Sequence, residues 1–406
     1  FNDPDNLKIF IDFWARGYAN PTNDFLGGID CEDEQPNISM NQVLRNLEIV
    51  IGEGNPGAIA VHHQAAEGSS IEDCIIDATN GHTAIKGGIG SGGSSAGNMI
   101  IGGRIGLDYT GLFRGTQPTP VITGFIFEGQ TKNVIRSTSR QTLVAVGIKI
   151  LANKCAGPLI EIPAGLGANL GQISLIDSEI QFSGEALAET ERILIHSNRG
   201  AYLQNVYVYG STKIVVDESL ANELEGNPAG WLHVEQYAAE SQNVLNQGNY
   251  YRYPVYLDNQ SISEIIKINP DSVPPAKLQS GHFWSEDFPH FQQDGVINVK
   301  EAPYNVYGDG VHDDTEALQQ AINENEIIFL PRGVYLISST LELKPGTKLF
   351  GAGQTLTILI SSPEDMFSDS DSPNPMIRTA NSKEGNYLAF FGIHILNTAP
   401  GCQFLH

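Results

Sequence analysis

Two short segments carry side chains whose types and spacing could support metal chemistry. His62 and His63 are adjacent, and imidazole is a common metal ligand. No cysteine or carboxylate stands beside them at the spacing of a zinc site, so we expect neither a metal nor any other cofactor. Asp309, Asp313 and Asp314 offer carboxylate oxygens to a cation. The alternative for this acidic group is a turn followed by the start of a helix.

A glycine-rich segment raises the question of phosphate binding. Residues 87–93 read Gly-Gly-Ile-Gly-Ser-Gly-Gly and include Ser91. The segment lacks the Lys-Ser/Thr pair of a phosphate-binding loop, and it does not lead into a clear helix. We therefore expect no nucleotide site at this position.

Composition narrows the classes of partner. The chain has 406 residues, of which 17% are charged, and a net charge of −24. Such a negative charge argues against nucleic acid and anionic membranes, whose phosphates require Lys and Arg. It argues less strongly against acidic polysaccharides, and it leaves a neutral glycan unaffected. No apolar run reaches about 18 residues, so we expect no membrane insertion.

The cysteines and the two ends of the chain carry less information. Cys31, Cys74, Cys155 and Cys402 are widely spaced and fit no zinc pattern. Two disulfides could form, and their pairing stays open. The chain starts abruptly at Phe1 and stops without a closing element, so we expect both ends to be fragment or processing ends.

The region from Tyr307 to Ile337 predicts a turn, a helix and a strand. A Gly-Asp-Gly turn leads to Asp313, Asp314 and Thr315, whose oxygens suit the first turn of a helix. Apolar residues at helical spacing follow, at Ala317, Leu318, Ala321 and Ile322. The next segment is strand-like and breaks at Pro331-Arg332-Gly333. We therefore expect one helix in an otherwise β-rich chain.

A degenerate repeat runs along the chain. It consists of an apolar residue, then a small residue or Asn, Asp or Gly, then alternating apolar positions. Copies lie at 44–49, 71–76, 122–127, 146–150, 203–208 and 391–395. A spacing from the low twenties to about thirty residues is typical of a solenoid. The alternative is a β-sandwich. That fold needs a turn roughly every 8–12 residues, and it leaves the helix unexplained.

The repeat divides the chain into three parts. Residues 1–216 carry most copies and predict a first parallel β-helix. Residues 217–296 break the pattern with Pro and Gly but keep aromatic anchors such as Trp231, which predicts a structured connection. Residues 297–406 predict the start of a second β-helix that is opened by the helix.

The turn and helix at 307–322 resemble the opening of a right-handed parallel β-helix of the pectate-lyase-like superfamily, in which a helix caps the first coil. A cap is needed because an open coil end is a bare sheet edge. Two such units in one chain resemble glycoside hydrolase family 55, β-1,3-glucanases with two tandem β-helices side by side. The resemblance rests on residues 55–73, 89–93, 102–103 and 366–378. It implies that the cap of the first β-helix lies upstream of Phe1.

This resemblance implies a set of site residues. Family enzymes invert at the anomeric carbon, which needs an acid and a positioned water with groups roughly 6.5–9.5 Å apart. Their water-positioning Gln and Ser match Gln64 and Ser91, and His62 and His63 become substrate-binding candidates. In our alignment His406 stands where the family has a Glu, as a further substrate-binding candidate. The general acid is then expected beyond the last residue.

Two hypotheses stay open. The first is a secreted, extracellular β-1,3-glucan hydrolase that binds a neutral polysaccharide in the groove between two β-helices. The second is a catalytically inactive structural or glycan-binding protein of an extracellular matrix, cell wall or filament, capable of self-assembly. A tailspike or adhesin β-helix is a third reading. Under either of the first two hypotheses, we expect residues 1–406 alone not to hydrolyse laminarin.

Overall fold

The fold is given by a computed structural model. It describes residues 1–13, 40–63, 65, 67–89, 93–110, 121–139, 141–163, 171–183, 192–244, 250–279, 282, 289–363, 365–396 and 399–405. The chain divides into two compact units, Phe1–Ser285 and Glu286–His406, and each is considered by itself. This division does not decide the sequence-based limits at 216 and 296, which stay predictions.

The first unit consists of short strands. In chain order they are β1 (Lys8–Phe13), β2 (Val43–Arg45), β3 (Glu48–Val50), β4 (Ala58–His63), β5 (Ser70–Glu72), β6 (Ile75–Asp77), β7 (Thr83–Lys86), β8 (Ser94–Ala96), β9 (Met99–Ile101), β10 (Ile105–Tyr109), β11 (Val121–Thr123), β12 (Ile126–Glu128), β13 (Asn133–Ser137), β14 (Leu143–Val146), β15 (Lys149–Ala152), β16 (Ile160–Ile162), β17 (Ile173–Phe182), β18 (Ile193–Ser197), β19 (Ala201–Tyr209) and β20 (Lys213–Asp217). They continue as β21 (Asn222–Glu225), β22 (Trp231–Ala239), β23 (Ser241–Val244), β24 (Tyr250–Tyr253), β25 (Val255–Leu257), β26 (Gln260–Ile262) and β27 (Glu264–Pro270).

The second unit combines strands with one α-helix. Its elements are β28 (Val296–Asn298), β29 (Asp309–Asp313), α1 (Thr315–Glu324), β30 (Ile327–Leu330), β31 (Gly333–Ile337), β32 (Leu341–Glu342), β33 (Lys348–Gly351), β34 (Thr357–Ser361), a 3-10 helix (Asp365–Phe367), β35 (Asn374–Arg378), β36 (Tyr387–Ala389), β37 (Gly392–His394) and β38 (Cys402–Leu405). Among the described helices, none has the length and apolar character of a membrane span.

Parallel stacking organises both units. In the first, β1, β4, β7, β10, β13, β16, β18 and β20 form one parallel sheet, with β21 added at its edge. A second, 14-stranded sheet stacks the two short strands that each coil contributes, such as β2 and β3, on those of the next coil. The second unit has three smaller parallel sheets. The prediction of an all-β protein with parallel sheets is confirmed, and the stacking is that of a parallel β-helix.

A left-handed residue lies between the two short strands of a coil, or within the single long strand in the coils of β17 and β19. The φ angle of this residue is positive in each of these coils. In several coils its backbone N–H donates a hydrogen bond to a carbonyl of the next coil. The positions are Asn46, Asp73, Gly97, Gly124, Gly147, Asp177 and Asn205. Gly, Asn and Asp adopt this conformation at the lowest cost. The sequence repeat therefore corresponds to a turn residue with a strand segment on each side, and the apolar side chains of both segments point into the core.

Inward side chains of successive coils stack into continuous rows. One row of the first parallel sheet consists of Ile11, Val61, Ile85, Leu107, Ile135, Ile160, Ile195 and Val215. Except for the partly buried Ile11, its members are at most 2% exposed and belong to one continuous core. Burial of such a side chain contributes roughly 1.5–3 kcal/mol, so the rows supply most of the stability of the stack. Free thiols add to the packing, because Cys74 and Cys155 are buried and unbridged.

Antiparallel strands end the parallel stack of the first unit. β21 pairs antiparallel with β20, and β22 pairs antiparallel with both β19 and β27. Two small hairpins, β23–β24 and β25–β26, lie between β22 and β27. Reversal of direction stops the addition of further parallel strands at this end.

The helix of the second unit begins as predicted, but its two aspartates act differently from a simple helix cap. Asp314 occupies the N-cap position, yet its carboxylate accepts from the backbone N–H groups of Tyr307 and Gly308 at 2.8 and 2.9 Å. The Asp313 carboxylate accepts from the N–H of Thr315 at 3.0 Å. Asp314 therefore holds the glycine turn, and Asp313 holds the start of the helix. Both carboxylates serve the turn-and-helix reading.

Candidate functional site

The outer face of the first parallel sheet carries a row of charged and imidazole side chains. Strand residues alternate between the two faces of a sheet, so the position after each inward residue faces outward. In successive coils this position pairs in register from strand to strand. We call it the charged row, and it consists of Asp12, His62, Lys86, Asp108, Arg136, Glu161 and His196.

Several members of the charged row bind one another or a neighbouring turn. Asp12 accepts a hydrogen bond or ion pair from His62 Nδ1 at 2.8 Å. Arg136 Nε donates to Glu161 Oε2 at 2.8 Å. Asp108 accepts from the Thr110 hydroxyl. Parallel strands lie about 4.8 Å apart, so the row presents donors and acceptors at that repeat. Such a surface can bind the hydroxyl groups of a chain of sugars.

His62 and His63 take opposite positions on β4. His62 lies in the charged row and is 4% exposed. His63 points into the core, is fully buried, and packs on Phe13 with ring centroids 4.4 Å apart. The two candidates of the sequence analysis are therefore separated by the sheet.

The environment of His63 favours its neutral form. Among the described residues, neither ring nitrogen has a hydrogen-bond partner. Burial lowers the pKa of His63 to about 4, and the approach of the Gln42 backbone opposes this shift only in part. A neutral imidazole is the form that an apolar core accepts.

Gln64, Ser91 and His406 lie outside the described residues, so their predicted roles stay predictions. Two nearby residues are described: Ala65 forms an isolated parallel bridge with Ile89, beyond β4 and β7.

Among the described residues, three carboxyl groups have a raised pKa, and none of them is a member of the charged row. Burial raises the pKa of Asp73, Asp217 and Asp314. Asp73 lies 3.5 Å from Arg45, Asp217 accepts from the N–H of Ser219, and Asp314 holds its glycine turn. These contacts are structural. Within the described residues, no carboxyl group combines a raised pKa with a place in the charged row.

The arrangement of the described His, Cys, Asp and Glu side chains bears on metal ligation. In the part of the chain that the structure describes, no group of three or more His, Cys, Asp and Glu side chains is arranged to hold a metal ion. Asp309, an acidic candidate, instead accepts from the backbone N–H groups of His312 and Val311 at 3.0 and 2.9 Å, which lowers the pKa of its carboxyl group.

Sequence reasoning missed the charged row, although a signal was present. Each member is a single polar residue directly after an apolar one in a short strand, as in Ile85-Lys86 and Leu107-Asp108. The turns between successive strands differ in length, so the members of the row are not evenly spaced in the sequence. The sequence alone therefore does not show which residues lie side by side in neighbouring coils. Superposing the strands at their inward residues would have revealed the row.

Comparison with known proteins agrees with the fold. Residues 296–388 match the model of the family described as rhamnogalacturonase A/epimerase, pectate lyase-like. The match covers the elements of the second unit from β28 to β35, including the helix, and reaches into β36. It lies on the segment that the turn and helix had indicated.

Curated relatives extend the likeness over both units. A glucan 1,3-beta-glucosidase of Cochliobolus carbonum is 25% identical over 84% of this chain and 42% of its own length. A probable glucan endo-1,3-beta-glucosidase of Arthroderma benhamiae is 29% identical over 33% of this chain and 16% of its own length. A protein named non-secreted LysM effector LysM19, from Penicillium expansum, is 26% identical over 76% of this chain and 24% of its own length. The chain thus spans less than half the length of these relatives. Together, the matches support a pectate-lyase-like protein that is similar to glucan 1,3-beta-glucosidases, in agreement with the resemblance to glycoside hydrolase family 55.

Proposed function

We propose that this chain is part of a carbohydrate-active protein that binds a neutral β-1,3-glucan and, in the longer protein, hydrolyses it. The observation that carries the proposal is the charged row, which repeats donors and acceptors from coil to coil. Relatives named as glucan 1,3-beta-glucosidases support this class of substrate.

The chemistry of the charged row suits a neutral glycan. Hydroxyl groups both donate and accept, so they bind to carboxylates, guanidinium groups and ammonium groups alike. The row mixes acidic and basic members, which keeps its local net charge small, although the whole chain carries −24. A hydrogen bond to a charged group contributes roughly 1.5–3 kcal/mol, so a few such contacts suffice for measurable affinity.

We further propose an arrangement of the two units and a set of catalytic residues. The two units would be tandem right-handed β-helices side by side, with the glycan in the groove between them. Gln64 and Ser91 would position the attacking water, and the general acid would be a Glu of the longer protein. His62 and His406 would contact the substrate, whereas His63, the third candidate, is buried in the core and does not reach it. Secretion belongs to the same proposal and is tested by fractionation of the source organism. Small-angle scattering of the purified chain tests the side-by-side arrangement.

Titration of the chain with soluble laminarin tests the binding proposal. Replacing Lys86 with Ala removes an ammonium group from the centre of the charged row. We expect at least about tenfold weaker binding, as for the loss of one charge-assisted hydrogen bond. Lys149→Ala is the matched control, because Lys149 pairs with Glu179 on the other sheet at 3.0 Å. Equal affinity of both variants would remove the charged row as the binding surface.

A catalytically inactive, glycan-binding protein is the second candidate. The relative named as a non-secreted LysM effector supports this candidate, because that name states no hydrolytic activity. Its match covers 76% of this chain, a share similar to the 84% of the glucosidase. Self-assembly into a matrix or filament belongs to this candidate. The longer protein separates the two candidates. Release of glucose that is abolished by one Glu→Gln change establishes the hydrolase, and binding without turnover establishes the second candidate.

A further inference from the structure

A polar cleft lies on another part of the first unit, at the turns that lead into the first parallel sheet. Its volume is about 230 Å³, and residues from four successive turns line it, near 79–81, 101–104, 128–131 and 153–154. Drug-sized ligands occupy pockets of roughly 300–1,000 Å³, so this volume suits a single sugar ring or a small ion. We call it the turn cleft.

Positive charge is concentrated at the turn cleft. Arg104 and Lys154 line it, and Lys132 follows Arg104 directly in the stack, because the N–H of Lys132 donates to the Arg104 carbonyl at 2.9 Å. All three side chains are exposed. Within the described part of the chain, none of them forms an ion pair with a carboxylate.

The environment of His82, the preceding member of this stack, reflects the same charges. Its carbonyl accepts from the N–H of Arg104 at 2.9 Å. Burial lowers the pKa of His82, and Arg104 and Lys132 lower it further against the opposing effect of Asp108. With 23 Lys and Arg against 47 Asp and Glu in the whole chain, such a local excess of cations is unusual. An anion is therefore attracted to this point of an otherwise acidic protein.

The other groups of the turn cleft suit hydroxyls. Asn153 Oδ1 is buried, and no described residue donates to it. The Glu128 carboxylate and the Thr131 hydroxyl also line the cleft. These oxygens accept hydrogen bonds, which the several hydroxyl groups of a sugar ring can donate at once.

Glycines form the floor of the turn cleft and leave room for a ring. A Cβ at Gly129 would meet nothing nearer than 3.9 Å, where Asn153 Oδ1 and the Gly102 nitrogen lie. The buried Gln130 side chain lies below and donates to the carbonyls of Ile100 and Gly102, both at 3.1 Å. The space over Gly129 is thus free for a ligand, and the hydrogen bonds of Gln130 hold the backbone of the turns in place.

We propose that the turn cleft binds an acidic sugar unit, a hydroxylated ring that bears one carboxylate or phosphate group. The Arg104 guanidinium and the Lys154 ammonium hold the anionic group, and Glu128 and Asn153 accept from the ring hydroxyls. This site is separate from the charged row and does not depend on the proposed β-1,3-glucan. The net charge of −24 disfavours acidic glycans for the chain as a whole, but the cations at the turn cleft permit one acidic sugar at this point.

Calorimetric titration with four small molecules tests this proposal. Glucuronate and glucose 6-phosphate carry both a ring and an anion, inorganic phosphate carries only the anion, and glucose carries only the ring. We expect one or both acidic sugars to bind at least about tenfold more tightly than glucose and phosphate, and to weaken as salt is raised. The tighter of the two identifies the anionic group. Glucose or phosphate binding as tightly as the acidic sugars, or no binding at all, would overturn the proposal.

Variants locate the site. Arg104→Ala and Lys154→Ala each lose about tenfold in affinity for the acidic sugar, as expected for one charge-assisted hydrogen bond. Gly129→Asn fills the cleft while tolerating the local φ of +78°, and it loses affinity with an unchanged melting temperature. Lys267→Ala removes an exposed charge from β27 of the same unit and leaves binding unchanged. A loss for Lys267→Ala equal to that for Arg104→Ala would show a general charge effect and overturn the assignment.

Discussion

Equivalent outward rows of the two units differ in chemistry. In the first unit the charged row combines acidic and basic groups, with opposite signs at each neighbouring pair from Lys86 to Glu161. In the second unit the row across β28, β30 and β33 contains Phe329 and Phe350, with ring centroids 5.2 Å apart, and Phe291 stacks on Phe329 at 5.6 Å. Both rows arise from the same parallel register.

The difference shows what a stack of parallel coils permits. Like charges that face each other across neighbouring strands repel, which favours opposite signs at neighbouring positions of a charged row. Aromatic rings attract one another, so the same residue type can repeat. A charged row stays partly exposed and can exchange its partners for a ligand. A row of rings instead removes apolar surface from water and serves stability.

Removing a ring from the aromatic row is expected to have the largest effect. Phe350 is 3% exposed, so Phe350→Ala should destabilise the second unit by about 3–5 kcal/mol through lost burial and a cavity. Phe291→Ala is the control, because Phe291 is 55% exposed and should cost less than about 1 kcal/mol. Denaturant unfolding measures both. A small effect at Phe350 would mean that the aromatic row, like the charged row, is available to a partner.

Acid should distinguish the cores of the two units. The folded-state pKa of His63, about 4, lies below the ordinary value of 6.5, so between these values the unfolded chain binds a proton that the folded chain does not. The contribution of neutral His63 is therefore complete above pH 6.5 and declines by about 3 kcal/mol down to pH 4. In the second unit, the described histidines His290, His312 and His394 are all exposed.

Urea unfolding of the wild type and His63→Leu at pH 7 and pH 4 measures this effect. The first unit of the wild type should lose about 3 kcal/mol more on acidification than that of the variant. The second unit should respond alike in both proteins. Equal acid sensitivity of the first unit in both proteins would place His63 in a wetter environment than its burial indicates.

The smallest expected effect concerns a single ion pair of the charged row. Arg136 and Glu161 are each about one quarter exposed, so their coupling in a double-mutant cycle should be below about 1 kcal/mol and should fall with added salt. Unfolding of the Arg136→Ala, Glu161→Ala and double variants gives this coupling. A coupling of several kcal/mol would make the charged row structural, like the aromatic one.

Local patterns explain which parts of the fold the sequence could predict. The helix at Thr315–Glu324 follows from apolar spacing, and most coils follow from an apolar residue on each side of a turn residue. The coil of β8 and β9 was missed because its first strand reads Ser-Ser-Ala. The reversal at β22 was missed because the direction of pairing leaves no mark within the strand Trp231–Ala239.

The candidate site was harder to predict than the fold, because it depends on register between coils. Gln64, Ser91 and His406 came from family resemblance and stay predictions. The different positions of His62 and His63 follow from strand alternation once β4 is placed, but the two-residue segment alone does not show which side faces inward. Likewise, the glycines near the turn cleft suggested only loops until four turns were stacked.

The left-handed turn residues also bear on how the first unit folds and opens. In the parallel part of the unit, each coil pairs only with the coil before and the coil after it, so cooperativity passes from neighbour to neighbour. A residue that resists positive φ, placed at Gly124, would weaken the stack at that point alone. Hydrogen exchange would then report two blocks that open separately, one on each side of the altered coil. The first unit is thus a one-dimensional chain of coils whose weakest turn determines where it divides.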